Sequence, residues 1–209
     1  MLVVDFYCDG GYRHSYPNGH KVRPVTLSFG PYRRDCTRLH GWNYASPGWY
    51  FVTICTLDRA YDFGEVVSGA AVLSQVGRIA DNDLKGLPSH YTNVKVDCAV
   101  VMPNHIHAVI VIAGCHQFSP KPNCPTESRR SEEFPDCSPA SGSLSAIVRS
   151  YKAGVTRRCR LAGLRFAWQS GFYDHILRTN HSLNAVRDYI QNNPRNWDED
   201  PDNLQRVAP

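Results

Sequence analysis

The distribution of apolar positions divides much of the chain into strands and helices before any motif is considered. Trp49-Tyr50-Phe51-Val52-Thr53-Ile54-Cys55-Thr56 is aromatic and β-branched almost throughout, which predicts a strand. Gly64 to Leu73 predicts a short hairpin turning around Ser68-Gly69. Ser74 can cap a helix whose Val76, Ile79 and Ala80 make a modest apolar face. Asp81-Asn82-Asp83 weakens the second half of that helix, and Gly86 with Pro88 ends it. Val94 to Val101 predicts a second long strand. Met102-Pro103-Asn104 turns it directly into another apolar run ending at Ile112, so the two are expected to pair antiparallel. Leu144, Ile147, Val148, Tyr151, Val155 and Cys159 form one stripe at helical spacing. Phe172 to Leu177 predicts a further strand. A last helix starts at Asn180 or Ser182, carries Leu183, Val186 and Ile190, and ends at Pro194. Strand, helix, two strands, helix, strand, helix predicts an α+β fold with a largely antiparallel sheet, and a ferredoxin-like arrangement is its simplest closure.

The remaining stretches lack such periodicity. Residues 1–37 are rich in Gly, Pro, Tyr and basic residues and are expected to form a poorly ordered N-terminal extension. Residues 115–143 change to Ser, Pro and mixed charge with few large apolar side chains, which predicts a flexible insertion. One domain is thus expected over 38–203, with residues 204–209 as a tail. Asp198 to Asp202 reads as an acidic, solvated end to that domain.

Composition narrows the class. With 209 residues, 42% of them hydrophobic and 20% charged, the chain can bury a sizeable core. A net charge of +4 and a pI near 8.6 suit a nucleic-acid partner without requiring one. Eight cysteines occur without any C-x-x-C pair, several inside apolar patterns where free cysteine behaves as a small hydrophobe. No signal-peptide pattern opens the chain and no run is long enough to span a bilayer, so a reducing cytoplasm is expected, with no membrane partner.

The candidate chemistry centres on Val100-Val101-Met102-Pro103-Asn104-His105-Ile106-His107. On a strand, His105 and His107 share one face while Ile106 points to the other. Two imidazoles one pleat repeat apart can hold one divalent cation, or can simply be two strand histidines. Tyr189 and Asn193, four apart on the last helix, are neighbours on the flank of its apolar stripe. They can face the histidines, or serve as a half-buried packing residue and a helix terminator before Pro194. Arg149, Lys152, Thr156 and Arg160 lie opposite the apolar stripe of their helix, as a solvated face or as a surface for phosphates. Spacing alone leaves the histidine pair open, and favours the packing reading of Tyr189 and Asn193 and the solvated reading of the basic face.

The motifs together resemble those of a known family. Val100 to His107 resembles the His-hydrophobic-His motif of the single-tyrosine HUH transposases, and most closely the REP-associated tyrosine transposases. Pro47 to Thr56 is similar to the family's first strand, and Ile147-Val148-Arg149-Ser150-Tyr151-Lys152 to its basic helix. Trp168-Gln169 followed by Tyr173-Asp174-His175-Ile176 resembles its W-Q…(D/E)-H segment. Asp188-Tyr189-Ile190-Gln191-Asn192-Asn193-Pro194 resembles its tyrosine helix. The cover runs from about Arg33 to Asn203. Two departures stand out: Gly171 where many relatives carry a polar residue, and Asp81-Asn82-Asp83 in place of a more helical segment.

The resemblance implies a metal-dependent single-stranded DNA endonuclease and strand transferase acting on hairpin-flanked DNA in a bacterial cytoplasm, as a monomer or homodimer. His105, His107 and Asn193 would hold Mg²⁺ or Mn²⁺, and Tyr189 would be the nucleophile that forms a 5′-phosphotyrosine. Arg149, Lys152 and Arg160 would follow the DNA backbone, Tyr151 or Trp168 would stack on bases, and Gln169, Asp174 and His175 would support the site. Two rivals accompany this expectation. One is a domesticated or decayed transposase that binds hairpins without cutting. The other is a zinc hydrolase built on His105, His107 and a cysteine such as Cys115.

Overall fold

A computed structural model describes residues 38–39, 41–114, 141–200 and 202–203. The expected N-terminal extension, most of the expected insertion (including Cys115), and the 204–209 tail lie outside the described residues. A four-stranded sheet carries the fold. Its strands are β1 (Gly48–Cys55), β4 (Val94–Val101), β5 (His105–Ile112) and β6 (Tyr173–Leu177), in the spatial order β4-β5-β1-β6. β2 (Gly64–Val67) and β3 (Ala70–Leu73) form a separate hairpin. The helices are α1 (Gln75–Lys85), the short α2 (Leu87–His90), α3 (Leu144–Leu161) and α4 (Asn180–Asn192). Every pairing in the large sheet is antiparallel. Leaving out the hairpin, α2 and α4, the elements run strand, helix, strand, strand, helix, strand in the ferredoxin-like order.

The pleat of β1 sorts the molecule into layers. Tyr50, Val52 and Ile54 point to one side, where Ile106, Ala108 and Ile110 of β5 join the buried faces of α1 and α3. The stripe predicted for α3 is the set it buries there: Leu144, Ile147, Val148, Tyr151, Val155 and Cys159. Phe51 points to the other side with Val109 and Leu177, against Leu183, Val186 and Ile190 of α4. The register Thr53↔His107 and Cys55↔His105 puts both histidines on the α4 side. One alternating pattern therefore builds the core with one set of side chains and furnishes the site with the other.

Local signals act as the sequence implies, with adjustments. Ser68 and Gly69 both adopt left-handed φ, 51° and 73°, as a two-residue hairpin turn of right-handed twist requires. The Ser74 hydroxyl accepts from the Gly77 amide at 3.0 Å and caps α1. α4 begins at Asn180, the earlier of the two expected starts, because Thr179 and Ser182 cap it reciprocally. Asp81-Asn82-Asp83 does not cut α1 short. Asp81 pairs with Lys85 at 2.6 Å, and Asp83 pairs with Arg158 of α3, so tertiary contact overrides weak propensity. Pro88 opens α2 instead of stopping helix altogether, since its missing N–H has no role in a first turn.

Gly77 fixes how closely α1 approaches the chain before β2. A Cβ there would stand 2.1 Å from the Phe63 carbonyl oxygen, a backbone atom that cannot swing aside. Gly77→Ala should destabilise the fold by roughly 2–3 kcal/mol despite alanine's better helix propensity. Urea unfolding of the two proteins measures it, and an unchanged midpoint would mean that α1 moves without cost.

Candidate metal and tyrosine site

His105 and His107 are 0% and 1% exposed, with ring centroids 4.4 Å apart. Each ring is held by its Nδ1. His105 Nδ1 lies 2.8 Å from Asn104 Oδ1. The orientation of that amide follows from its other end, because Asn104 Nδ2 donates to the Asp202 carbonyl at 2.7 Å and a carbonyl can only accept. Oδ1 is therefore the atom facing His105, so Nδ1 carries the proton and Nε2 keeps its lone pair. That Nε2 is buried and has no hydrogen-bond partner. His107 Nδ1 lies 2.9 Å from the Thr53 hydroxyl, its ring stacks on Phe51 at 5.3 Å, and its Nε2 lies 3.2 Å from the Tyr189 hydroxyl.

α4 brings the other half. Its apolar stripe seats the helix on Phe51, Val109 and Leu177, which turns Tyr189 toward the sheet. The phenol ring lies 5.2 Å from His107 and edge-on to Phe51 at 6.3 Å. One turn later Asn193 ends the helix and is 2% exposed. Its Nδ2 donates to Asp200 Oδ2 at 3.1 Å, while its Oδ1 is buried without a partner. Buried polar atoms nearly always find partners, and leaving one unmet costs about 1–3 kcal/mol. Among the described residues two lone-pair atoms stay unmet: an imidazole nitrogen of His105, whose ring adjoins His107, and an amide oxygen of Asn193, one helical turn beyond Tyr189. This donor set fits a divalent cation with oxygen and nitrogen ligands.

The reading of Asp198 to Asp202 as a solvated end holds for exposed Asp198 and Glu199 and is overturned for Asp200 and Asp202. Trp197, Asp200, Asp202 and Asn203 are all buried. The Arg59 guanidinium pairs with Asp202 at 2.8 Å, and the Asp202 carboxylate lies 3.8 Å from His105 Nδ1. Tyr61 donates to Asn203 Oδ1 at 2.7 Å, and the Trp197 ring packs at 5.9 Å from Tyr61 and 6.0 Å from His105. Composition misled because a carboxylate can be buried once charged and hydrogen-bonding partners meet it: Asp202 meets Arg59 from far along the chain, and Asp200 meets Asn193 and the Asp202 amide across a turn that periodicity does not show. Asn104, Thr53, Arg59, Asp200 and Asp202 were all missed as site residues. Only Asn104, adjacent to the histidine pair, carried a local signal.

The other predicted residues divide differently. α3 packs on the face of the sheet opposite α4, so exposed Arg149 and Arg160 lie on the far layer from Tyr189. Lys152 is not a free surface cation. It is half-buried and donates to the carbonyls of Gln169 (2.8 Å) and Gly171, and Gly171 holds the left-handed φ of 74° that turns the segment into β6. Burial lowers its ammonium to about 8. Trp168 is partly buried, packing against Phe63, Phe166 and Tyr151 at the edge of the core while its Nε1 donates to the Lys152 carbonyl. Tyr151 is buried and donates to the Ala80 carbonyl. Gln169 acts through its backbone, its N–H closing onto the Cys55 carbonyl at 3.0 Å. Asp174 faces the α1 and α3 layer, where Arg38 stands at 3.4 Å, and cannot support the histidines directly. His175 is exposed on the site's side of β6, in register with Phe51.

Burial, then the Arg59 charge, depresses His105 to about 3, and burial pushes His107 well below the usual imidazole value. Both rings are neutral at pH 7, the form that binds metals. An unfolded histidine takes its proton near 6.5 whereas folded His105 refuses it until about 3. Its contribution is therefore complete above pH 6.5 and is lost as pH falls through that window, with a slope of up to ~1.4 kcal/mol per pH unit. Asp200, raised by burial, acts with the opposite sign. Urea unfolding in EDTA at several pH values should show His105→Gln losing stability less steeply than the wild type below pH 6.5. Parallel profiles would show that His105 protonates freely in the fold.

No family model matches the chain. An uncharacterized protein of Haemophilus influenzae is 35% identical over 172 residues, covering 82% of this chain and 93% of that protein. Among solved structures, a REP-associated tyrosine transposase bound to a REP hairpin is 18% identical, with 81% of this chain and 74% of that chain covered and a TM-score of 0.49. A Deinococcus radiodurans protein whose description names a transposase is 14% identical, with 74% and 97% covered and a TM-score of 0.37. Identity at that level over nearly the whole of the relative means that the chain belongs to one family with the Haemophilus influenzae protein.

Proposed function

We propose that the chain is a metal-dependent DNA-cleaving and strand-joining enzyme of the tyrosine transposase type, acting on single-stranded DNA that bears a hairpin. The observation that carries this reading is the Tyr189 hydroxyl at 3.2 Å from His107 Nε2, accompanied by two buried donor atoms without a partner among the described residues: His105 Nε2, on the ring beside His107, and Asn193 Oδ1, one helical turn beyond Tyr189. The ordered motifs shared with single-tyrosine transposases supply the substrate class.

His105, His107 and Asn193 would hold Mg²⁺ or Mn²⁺, which supplies Lewis-acid polarisation of the scissile phosphate and offsets charge in the transition state. All three side chains are neutral, so they leave the ion's full charge available. Tyr189 attacks phosphorus through its phenol oxygen. The new bond is O–P to the tyrosine, the bond that breaks is P–O3′, and the departing 3′ oxygen gains a proton while the phenol loses one. The attack needs the phenolate, and a cation held by the ligand set would supply charge that stabilises it. The phosphotyrosine keeps a phosphodiester's bond energy, and another 3′-hydroxyl can reverse the step without ATP. Phe51 and α4 fix the ring's approach so that positioning is settled before DNA arrives. Arg149 and Arg160, exposed on α3, are proposed contacts for the DNA backbone at a distance from the cleaved phosphate.

Incubating the full chain with a labelled single-stranded hairpin oligonucleotide and Mn²⁺ tests the proposal on a denaturing gel. A slowed covalent band that EDTA prevents is the expected result. Binding without an adduct would favour a hairpin-binding protein that does not cut. Cleavage to free ends without an adduct would favour a hydrolase that activates water.

A further inference from the structure

We infer that Asp200 is a positioning residue that sets the rotation of the Asn193 amide, presenting Oδ1 as the oxygen donor of the cation site. This rests on the metal-dependent reading above and adds a residue to it. Asp200 touches none of the reacting atoms. Its Oδ2 accepts from Asn193 Nδ2 at 3.1 Å, and its Oδ1 is occupied by the Asp202 amide at 2.7 Å. Both side chains are buried, 7% and 2% exposed.

A primary amide at the end of a side chain can present either its oxygen or its NH₂ to a given direction. Only the first orientation suits a cation. A carboxylate accepts and does not donate, so an Asp at this point forces the NH₂ toward itself and the oxygen away. The result is visible as the unpartnered, buried Oδ1 of Asn193. The same segment treats the histidine side alike, since the Asp202 carbonyl orients Asn104, which in turn fixes the His105 proton on Nδ1. The short stretch after α4 thereby determines the donor atom at two ligands belonging to different elements. Groups that orient ligands in this manner typically contribute 10–100-fold to metal affinity.

The test uses full-length protein and Mn²⁺ titrated without DNA, with free Mn²⁺ read by electron paramagnetic resonance and folding by thermal melting. Asp200→Asn replaces the acceptor with an amide that can donate to Asn193 Oδ1. It should weaken Mn²⁺ binding by 10–100-fold, as should Asn193→Ala. The exchanged pair Asp200→Asn with Asn193→Asp offers an N–H toward a carboxylate, leaving that carboxylate's second oxygen for the ion. Binding should return to within a few-fold of wild type or tighter. A merely structural role for Asp200 gives no reason for that rescue. Should Asp200→Asn fail to fold, the exchanged pair carries the test alone. The inference is overturned by wild-type affinity in folded Asp200→Asn, or by a folded exchanged pair that binds at least tenfold more weakly than wild type. It falls together with the metal-dependent reading if wild-type protein binds no Mn²⁺. It falls alone if wild-type protein binds, His105→Ala abolishes binding and Asp200→Asn leaves it intact.

Discussion

Tyr189→Phe is expected to leave the fold nearly unchanged and to abolish the covalent protein–DNA adduct. The substitution removes one oxygen and keeps the ring, so the contacts with His107 and Phe51 survive. What is lost is one half-buried hydrogen bond at 3.2 Å, for which about 1 kcal/mol is an upper figure. Among the described residues, several other tyrosines are committed elsewhere. Tyr50 donates to the Ser46 carbonyl, Tyr151 to the Ala80 carbonyl, and Tyr61 to Asn203. Tyr173 is the serious competitor. It pairs with Thr53 and so shares the face of the histidines, but it sits on the edge strand with Thr53 between it and His107. Mass spectrometry of the nuclease-trimmed adduct identifies the modified peptide. A nucleotide on Tyr173, or an adduct that persists in Tyr189→Phe, would reassign the nucleophile.

Removing either histidine should separate cutting from binding. His105→Ala and His107→Ala are each expected to reduce Mn²⁺-dependent cleavage below detection while hairpin affinity stays within roughly threefold, because backbone contacts from basic side chains supply most of such affinity. The structure sharpens this expectation: the exposed arginines of α3 and the histidines lie on opposite faces of the sheet. Each variant also opens a buried space, and roughly 2–3 kcal/mol of stability is expected to be lost with the ring. Melting curves must therefore accompany the gels. Equal loss of binding and cleavage in a folded variant would mean that DNA is held chiefly at the catalytic face.

The sequence alone specified a good deal of this molecule. The β-branched run of β1, the Ser-Gly hairpin turn and the six-residue stripe of α3 depend on short-range periodicity and turn chemistry, and the structure keeps all three. The His-x-His spacing likewise fixed a shared face, since strand alternation admits no other outcome. The tertiary structure decided everything that depends on which layer meets which. Arg149, Lys152 and Arg160 look alike on a helical wheel, yet contact with the segment before β6 turned Lys152 into an internal clasp. Asp174 went to the layer away from the histidines because β6 pairs with β1 in one register, and Trp168, bridged to Thr56, packs in that same layer. Asp200 and Asp202 looked solvated because no local pattern reveals that Asn193, Arg59 and Asn104 wait to receive them. Periodicity is a property of neighbours along the chain. The partner that makes a buried carboxylate such as Asp202 stable is set by contacts with Arg59, in a distant segment that only the folded chain brings near.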